Sequence, residues 1–137
     1  APFHHRGGGA VSAALTAAAR GEAVVELIAD GVHLAPEVVR MVFETVGPDQ
    51  VALVSDASPA TGVGDGEHRI GALPVVVTQW IARLRTDDGT PGAIAGSTST
   101  LTRCVEWAVA TAGVARGDAL TAATTTPARL LPPLTSP

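Results

Sequence analysis

Apolar and polar positions fall in short blocks whose lengths and periods predict β-strands and α-helices in alternation. Val24-Val25-Glu26-Leu27-Ile28 is a short β-branched run that stops at Asp30-Gly31, and it predicts a strand. Pro36 stands where a helix tolerates its missing N–H, at the first helical position. Behind it Val38, Val39, Val42, Phe43 and Val46 form one helical stripe, and Gly47-Pro48 ends the helix. Val51-Ala52-Leu53-Val54 is apolar on both faces, as in a strand covered on both sides of a parallel sheet. Strand, helix and strand at this spacing make a βαβ unit with an expected right-handed crossover. Upstream, Ala10 to Arg20 is rich in strong helix formers and stops at Gly21. Downstream, His68–Ile70, Pro74–Thr78 and Ile81–Arg85 read as strands, with Trp80 expected to serve packing. Leu101, Cys104, Val105, Ala108 and Val109 then mark an amphipathic helix, with N-cap candidates in Ser97–Thr100 and an end near Gly113. Ala115–Thr124 predicts a second helix, and Thr126-Pro127 the cap and first turn of a short third. The proline-rich tail beyond Leu131 does not continue regular structure.

The polar residues between these blocks carry the candidate chemistry. Asp30 and His33 follow the end of the first strand, and Asp56 follows the end of the second. Strands that run parallel share one edge at those ends, so the three side chains should gather on one rim. In a (β/α)₈ barrel that rim is the catalytic face. Each residue also has a plainer reading. Asp30-Gly31 is a turn signal, and a lone His33 often serves packing.

Composition narrows the class without naming a function. The 137 residues are 46% hydrophobic and 16% charged, which suits a folded globular chain. No run approaches the ~20 apolar residues that span a bilayer, so no membrane partner is expected. A net charge of −4 gives no sign of affinity for nucleic acid. Cys104 is the only cysteine, which excludes an intrachain disulfide and points to a reducing compartment, the cytoplasm. It lies on an apolar stripe and reads as core. A whole (β/α)₈ barrel takes about 250 residues, so this length holds two or three βα units. The expectation for such a barrel is part of a longer chain, with a self-contained α/β domain as the alternative.

IADGVH (Ile28 to His33), followed by LVSDASPATG (Leu53 to Gly62), resembles the N-acetylglucosamine-6-phosphate deacetylases of the amidohydrolase superfamily. The resemblance extends to APFHHR (Ala1 to Arg6), GAIAGST (Gly92 to Thr98) and ATTTPARLL (Ala123 to Leu131), in one consistent order. It departs from the family at Gly7 and Gly8, where an acidic residue and a proline are usual. The resemblance implies an α/β chain that is the C-terminal part of a (β/α)₈ metal-dependent hydrolase barrel, with strands of a small accessory β-sandwich. On that scheme residues 1–64 are barrel βα units, 65–92 sandwich strands, 93–131 barrel-packing helices and 132–137 a tail.

The implied reaction is hydrolysis of the acetamide of N-acetylglucosamine-6-phosphate. Asp56 would be general base and then general acid. Substrate binding would fall to Arg6 at the phosphate, to Asp30 and His33, and to the backbone of Ile94, Ala95 and Gly96. Gly96 also fits a plain tight turn before a helix. His4 and His5 read as loop residues, with His5 near the phosphate. The resemblance implies a divalent metal, zinc or iron, held by a glutamate and two histidines upstream of this chain; no His-x-His, HExxH or cysteine cluster occurs here. A homodimer or higher homo-oligomer is implied, because the family's arginine often crosses a subunit interface. The alternatives are another amidohydrolase, acting on cyclic amides or N-acyl amino acids, and a non-catalytic α/β domain for binding or assembly.

Overall fold

The computed structural model describes residues 6–132. His4 and His5 lie outside them, as does the tail beyond 132. The order of elements is α1 (Ala10–Ala19), β1 (Val25–Ile28), α2 (Pro36–Val46), a 3₁₀ turn (Pro48–Gln50), β2 (Val51–Val54), β3 (Gly66–Ile70), β4 (Leu73–Thr78), β5 (Ile81–Leu84), α3 (Leu101–Ala110), α4 (Arg116–Ala123) and α5 (Thr125–Leu130). The chain is α/β, with two small sheets.

β1 and β2 pair in parallel, Val25 with Val51 through Ile28 with Val54. β2 is buried at Val51, Ala52 and Leu53, as its two-faced apolar pattern requires. Leu27, Val39, Val42, Phe43, Val51, Leu53, Cys104, Ala108, Ala119 and Ala122 close into one core around this pair. Small alanines on α3 and α4 let both helices approach β2 closely. The α2 stripe buries Val39, Val42 and Phe43, whereas Val38 stays 39% exposed beside an open groove. That groove, about 450 Å³, runs along β1 and is lined by Val11, Leu15, Leu34 and Val38.

β3, β4 and β5 form an antiparallel meander with its own core of Val77, Ala82 and Ala60. Trp80 does not pack as its sequence position suggests. It sits in the β4–β5 hairpin turn at 54% exposure, with the Arg103 guanidinium 5.2 Å from the ring centroid. Gln79 and Trp80 both take positive φ (50° and 66°), and the Asp65 carboxylate accepts hydrogen bonds from both amides. A two-residue turn of this hand normally signals itself through Asn-Gly or Asp-Gly. Gln-Trp carries no such signal.

The short last helix also differs in its start. Thr124, not Thr126, is the N-cap residue of α5, and Pro127 falls in its first turn. Thr126 is instead buried and donates its hydroxyl to the Pro48 carbonyl at 2.9 Å, docking α5 on the 3₁₀ turn. A buried tertiary acceptor has drawn the hydroxyl away from local capping.

Candidate functional site

The parallel pairing sends the segments after β1 and β2 out of the same sheet edge. A third segment joins them there. Ser97 forms a parallel bridge with Ala57, while Ile94, three residues earlier, bridges to Arg83 of β5. The Ile94–Ser97 stretch therefore ties the meander to the parallel pair. Asp30, His33, Asp56 and Ser97 all stand at the rim it helps to build.

Asp30 is the most heavily bonded side chain of the rim. One carboxylate oxygen, Oδ1, accepts the amides of Val32 and His33, both at 2.9 Å. The other, Oδ2, lies 2.9 Å from His33 Nδ1 and accepts the Ser97 hydroxyl at 2.7 Å. Its side chain is 2% exposed, and that of His33 is 20% exposed. Burial alone pushes the Asp30 carboxyl up, but the bonds from the His33 and Val32 amides, the Ser97 hydroxyl and the His33 ring outweigh it. The net effect holds the group below the ordinary 3.8 of an aspartate. Gly31 makes this tight turn possible. Its φ is +81°, and a Cβ there would meet the Trp107 indole nitrogen at 2.7 Å.

Asp56 follows a different logic. Its φ is +49°, a left-handed conformation that an aspartate tolerates better than most residues. The residue is exposed rather than buried, so water reaches its carboxylate. It lines a cleft of about 360 Å³ between the end of β2 and the meander, with Ser58, Ile70, Leu84 and Gly96. His33 lines the groove beside β1 instead. The shared edge is thus present, while the two side chains border separate hollows of this chain.

Gly96 does permit a close approach, and the approach is to the protein itself. With φ at +72°, a Cβ there would meet Ser58 Cβ at 3.0 Å and the Asp56 carbonyl at 3.2 Å. The Ala95 amide donates to the Ala82 carbonyl at 2.9 Å, so that donor is taken by β5. Arg6 is exposed in a turn ahead of Gly9, the N-cap residue of α1. Cys104 is fully buried in α3; desolvation, with Asp30 nearby adding to it, pushes its thiol up to about 11. His68 holds the Gly64 carbonyl at 3.0 Å, a loop tie outside the rim. Among the described residues no group of three His, Cys, Asp or Glu could hold a metal ion.

Of the N-cap candidates in Ser97–Thr100, Thr100 caps α3, its hydroxyl accepting the Arg103 amide at 3.4 Å, whereas Ser97 serves the rim. Its main chain receives and gives as well: the Ser97 amide donates to the Asp56 carbonyl at 2.8 Å, and the Ser97 carbonyl accepts the Ser58 amide at 3.0 Å and the Thr61 hydroxyl at 3.1 Å. A contact across 67 residues leaves no local pattern to read.

No family model matches the chain. Curated relatives do. N-acetylglucosamine-6-phosphate deacetylase of Bos taurus is 35% identical over 136 residues, covering 95% of this chain and 31% of the relative. The Bacillus subtilis enzyme of the same name is 38% identical over 96 residues, covering 70% of this chain and 22% of the relative. An Escherichia coli K12 protein provisionally named N-acetylgalactosamine-6-phosphate deacetylase is 32% identical over 129 residues, covering 94% of this chain and 72% of the relative.

Among solved structures, a Mycobacterium smegmatis N-acetyl-D-glucosamine-6-phosphate deacetylase variant in complex with N-acetyl-D-glucosamine-6-phosphate aligns at TM-score 0.79 and 38% identity, over 94% of this chain and 33% of that one. The Thermotoga maritima N-acetylglucosamine-6-phosphate deacetylase aligns at TM-score 0.79 and 31% identity, again over 94% of this chain and 33% of that one. The chain thus spans no more than about a third of the Bos taurus and Bacillus subtilis enzymes. With sequence and fold in agreement across nearly its whole length, the chain belongs to the N-acetylglucosamine-6-phosphate deacetylase family.

Proposed function

We propose that this chain is the C-terminal part of an enzyme that hydrolyses the acetamide of N-acetylglucosamine-6-phosphate to glucosamine-6-phosphate and acetate. The observation that carries the reading is the parallel register of β1 and β2, which brings the loops of IADGVH and LVSDASP to one edge. In this reading Asp56, exposed at a cleft, takes a proton from water and returns it to the leaving amine. Arg6 binds the phosphate, for which a planar guanidinium suits bidentate contact. His33 binds the substrate, and Asp30, its oxygens already occupied within the protein, shapes the loop that presents it. Ile94, Ala95 and Gly96 form the wall beside Asp56, with Ala95 turned to β5.

Amide hydrolysis of this kind draws on a divalent ion, zinc or iron, to acidify water. The described residues do not fit such an ion, so its ligands belong to the remainder of the enzyme and no step is assigned through it here. That remainder would complete a (β/α)₈ barrel. The groove along β1, lined by Val11, Leu15, Leu34 and Val38, is the face it would cover, and the meander would belong to a small β-sandwich. In this reading the parent is a homo-oligomer in which Arg6 reaches a neighbouring subunit's substrate, and a single cysteine accords with the reducing cytoplasm. Among the described residues no helix is long and apolar enough to cross a membrane.

The test is an assay of the full-length parent on phosphorylated and unphosphorylated N-acetylglucosamine. A strong preference for the phosphorylated sugar, erased by Arg6→Ala, is the expected result. Equal turnover of both, or unchanged preference in Arg6→Ala, would overturn the phosphate assignment. Activity confined to cyclic amides or N-acyl amino acids would favour a different amidohydrolase.

A further inference from the structure

The hydrogen bonds around Asp30 fix more than a loop. The two amides that reach Oδ1 can only donate, so Oδ1 must accept twice. The Ser97 oxygen accepts the Ser99 amide at 3.0 Å, which leaves its single proton for Asp30 Oδ2 at 2.7 Å. Oδ2 then faces one further group, His33 Nδ1 at 2.9 Å. A carboxylate saturated with donors in this way stays ionised, as its lowered pKa accords, and an ionised carboxylate only accepts. The proton between Asp30 and His33 must therefore sit on Nδ1.

We infer that Asp30 and Ser97 are positioning residues that hold the neutral His33 ring in its Nδ1–H form, so that Nε2 acts as a hydrogen-bond acceptor. This rests on the reading above only in treating Nε2 as facing substrate; the protonation pattern itself needs no substrate. The consequence for specificity belongs to the neutral ring, since a doubly protonated ring donates from Nε2 as well. A ligand group that meets neutral His33 must bring its own proton, as a hydroxyl or an amide N–H does. A phosphate dianion or a carbonyl oxygen has none to give, so His33 in this form neither binds the phosphate nor polarises the acetyl carbonyl.

Ser97 adds a coupling between strands. Its side chain holds the Asp30 loop after β1, and its main chain holds the Asp56–Ser58 segment after β2. The acceptor nitrogen of His33 and the backbone of Asp56 are thereby referred to one residue. A serine serves both tasks because its hydroxyl is short enough to donate while its amide and carbonyl stay in the parallel bridge.

The experiment is imidazole ¹⁵N spectroscopy of this 137-residue chain across a pH series, read at its alkaline end. His33 is assigned by the signal that His33→Gln removes. Nδ1–H should exceed the Nε2–H form by about tenfold or more, the ratio expected from a hydrogen bond to a charged group. Asp30→Asn should invert the ratio, since its amide keeps an acceptor for the two backbone N–H groups but turns a donor on Nδ1. Ser97→Ala should reduce the ratio severalfold, and Ser97→Thr should restore it.

An Nε2–H ring in the unsubstituted chain would overturn the proposal without any variant. An unchanged ratio in Asp30→Asn with a native amide spectrum would remove Asp30, and an unchanged ratio in Ser97→Ala would remove Ser97. If the ratios come out as expected but the full-length parent does not deacetylate the sugar phosphate, the functional reading fails and this one stands. Deacetylation with an Nε2–H ring would be the reverse.

Discussion

Single residues at the rim obey opposite energetics, and their substitutions should separate stability from activity. Asp30 is buried with four donors aimed at it, so Asp30→Ala strands the Ser97 hydroxyl and two amides. Leaving such groups unpaired costs about 1–3 kcal/mol each where they stay dry, and urea unfolding should show a large loss. The pH dependence has a fixed sign. The folded Asp30 pKa lies below its unfolded value, so its contribution is full above the unfolded pKa and is lost as pH falls through the lowered one. The loss belongs to acid pH, below about 4, and an Asp30→Asn chain should show a flatter acid limb in the same measurement. Asp56 is exposed, so Asp56→Asn should leave unfolding within about 0.5 kcal/mol of the parent. On its proposed role as general base, the same change in the full-length parent should lower kcat by about a hundredfold or more. Gly31→Ala combines a φ of +81° with a clash against Trp107 and should destabilise by about 2 kcal/mol or more.

Whole elements are held by contacts that their own sequences do not announce. α5 has only six residues and no hydrogen-bonded side-chain cap, yet Thr126 and Arg129 bind it to the 3₁₀ turn through the Pro48 and Asp49 carbonyls. Thr126→Val keeps the shape and removes the hydroxyl, so it should cost about 1 kcal/mol in denaturant unfolding. α3 has the reverse character, being fixed by an amphipathic stripe. Cys104, at the centre of that stripe, is shut in and its thiol is pushed up to about 11. A thiol reagent at neutral pH should therefore label the native chain slowly, at a rate that follows unfolding. Rapid stoichiometric labelling under native conditions would contradict the packing of α3 on β2.

At the scale of the molecule, the parallel pair is finished on one side and open on the other. α3, α4 and α5 cover β2, and the Ser97 segment continues the parallel order beyond it. Beside β1 lies an apolar groove of about 450 Å³. An uncovered strand and groove of this kind favour association, so sedimentation of the isolated chain should show concentration-dependent self-association. Charged substitution at Val38, which lines the groove at 39% exposure, should reduce it with little change in unfolding. Since the described residues offer no metal cluster, the isolated chain should neither take up stoichiometric metal nor deacetylate the sugar phosphate. Stoichiometric zinc together with activity on this polypeptide would refute that.

Period and punctuation alone determined most of the elements. The stripe on α2, the two-faced run of β2 and the stop at Gly47 are local patterns, and each is written within a dozen neighbouring residues. The shared edge of Asp30, His33 and Asp56 was legible for the same reason, because a helix between two apolar runs of strand length predicts parallel pairing. Tertiary structure decided what those patterns leave open. Ser97 meets Asp30 across 67 residues, Thr126 leaves its cap for Pro48 across 78, and Trp80 turns outward because Asp65 holds its hairpin amides. Hydrogen bonds between distant polar groups obey no sequence period, so the residues that fix the proton on His33 came into view only once the strands were paired.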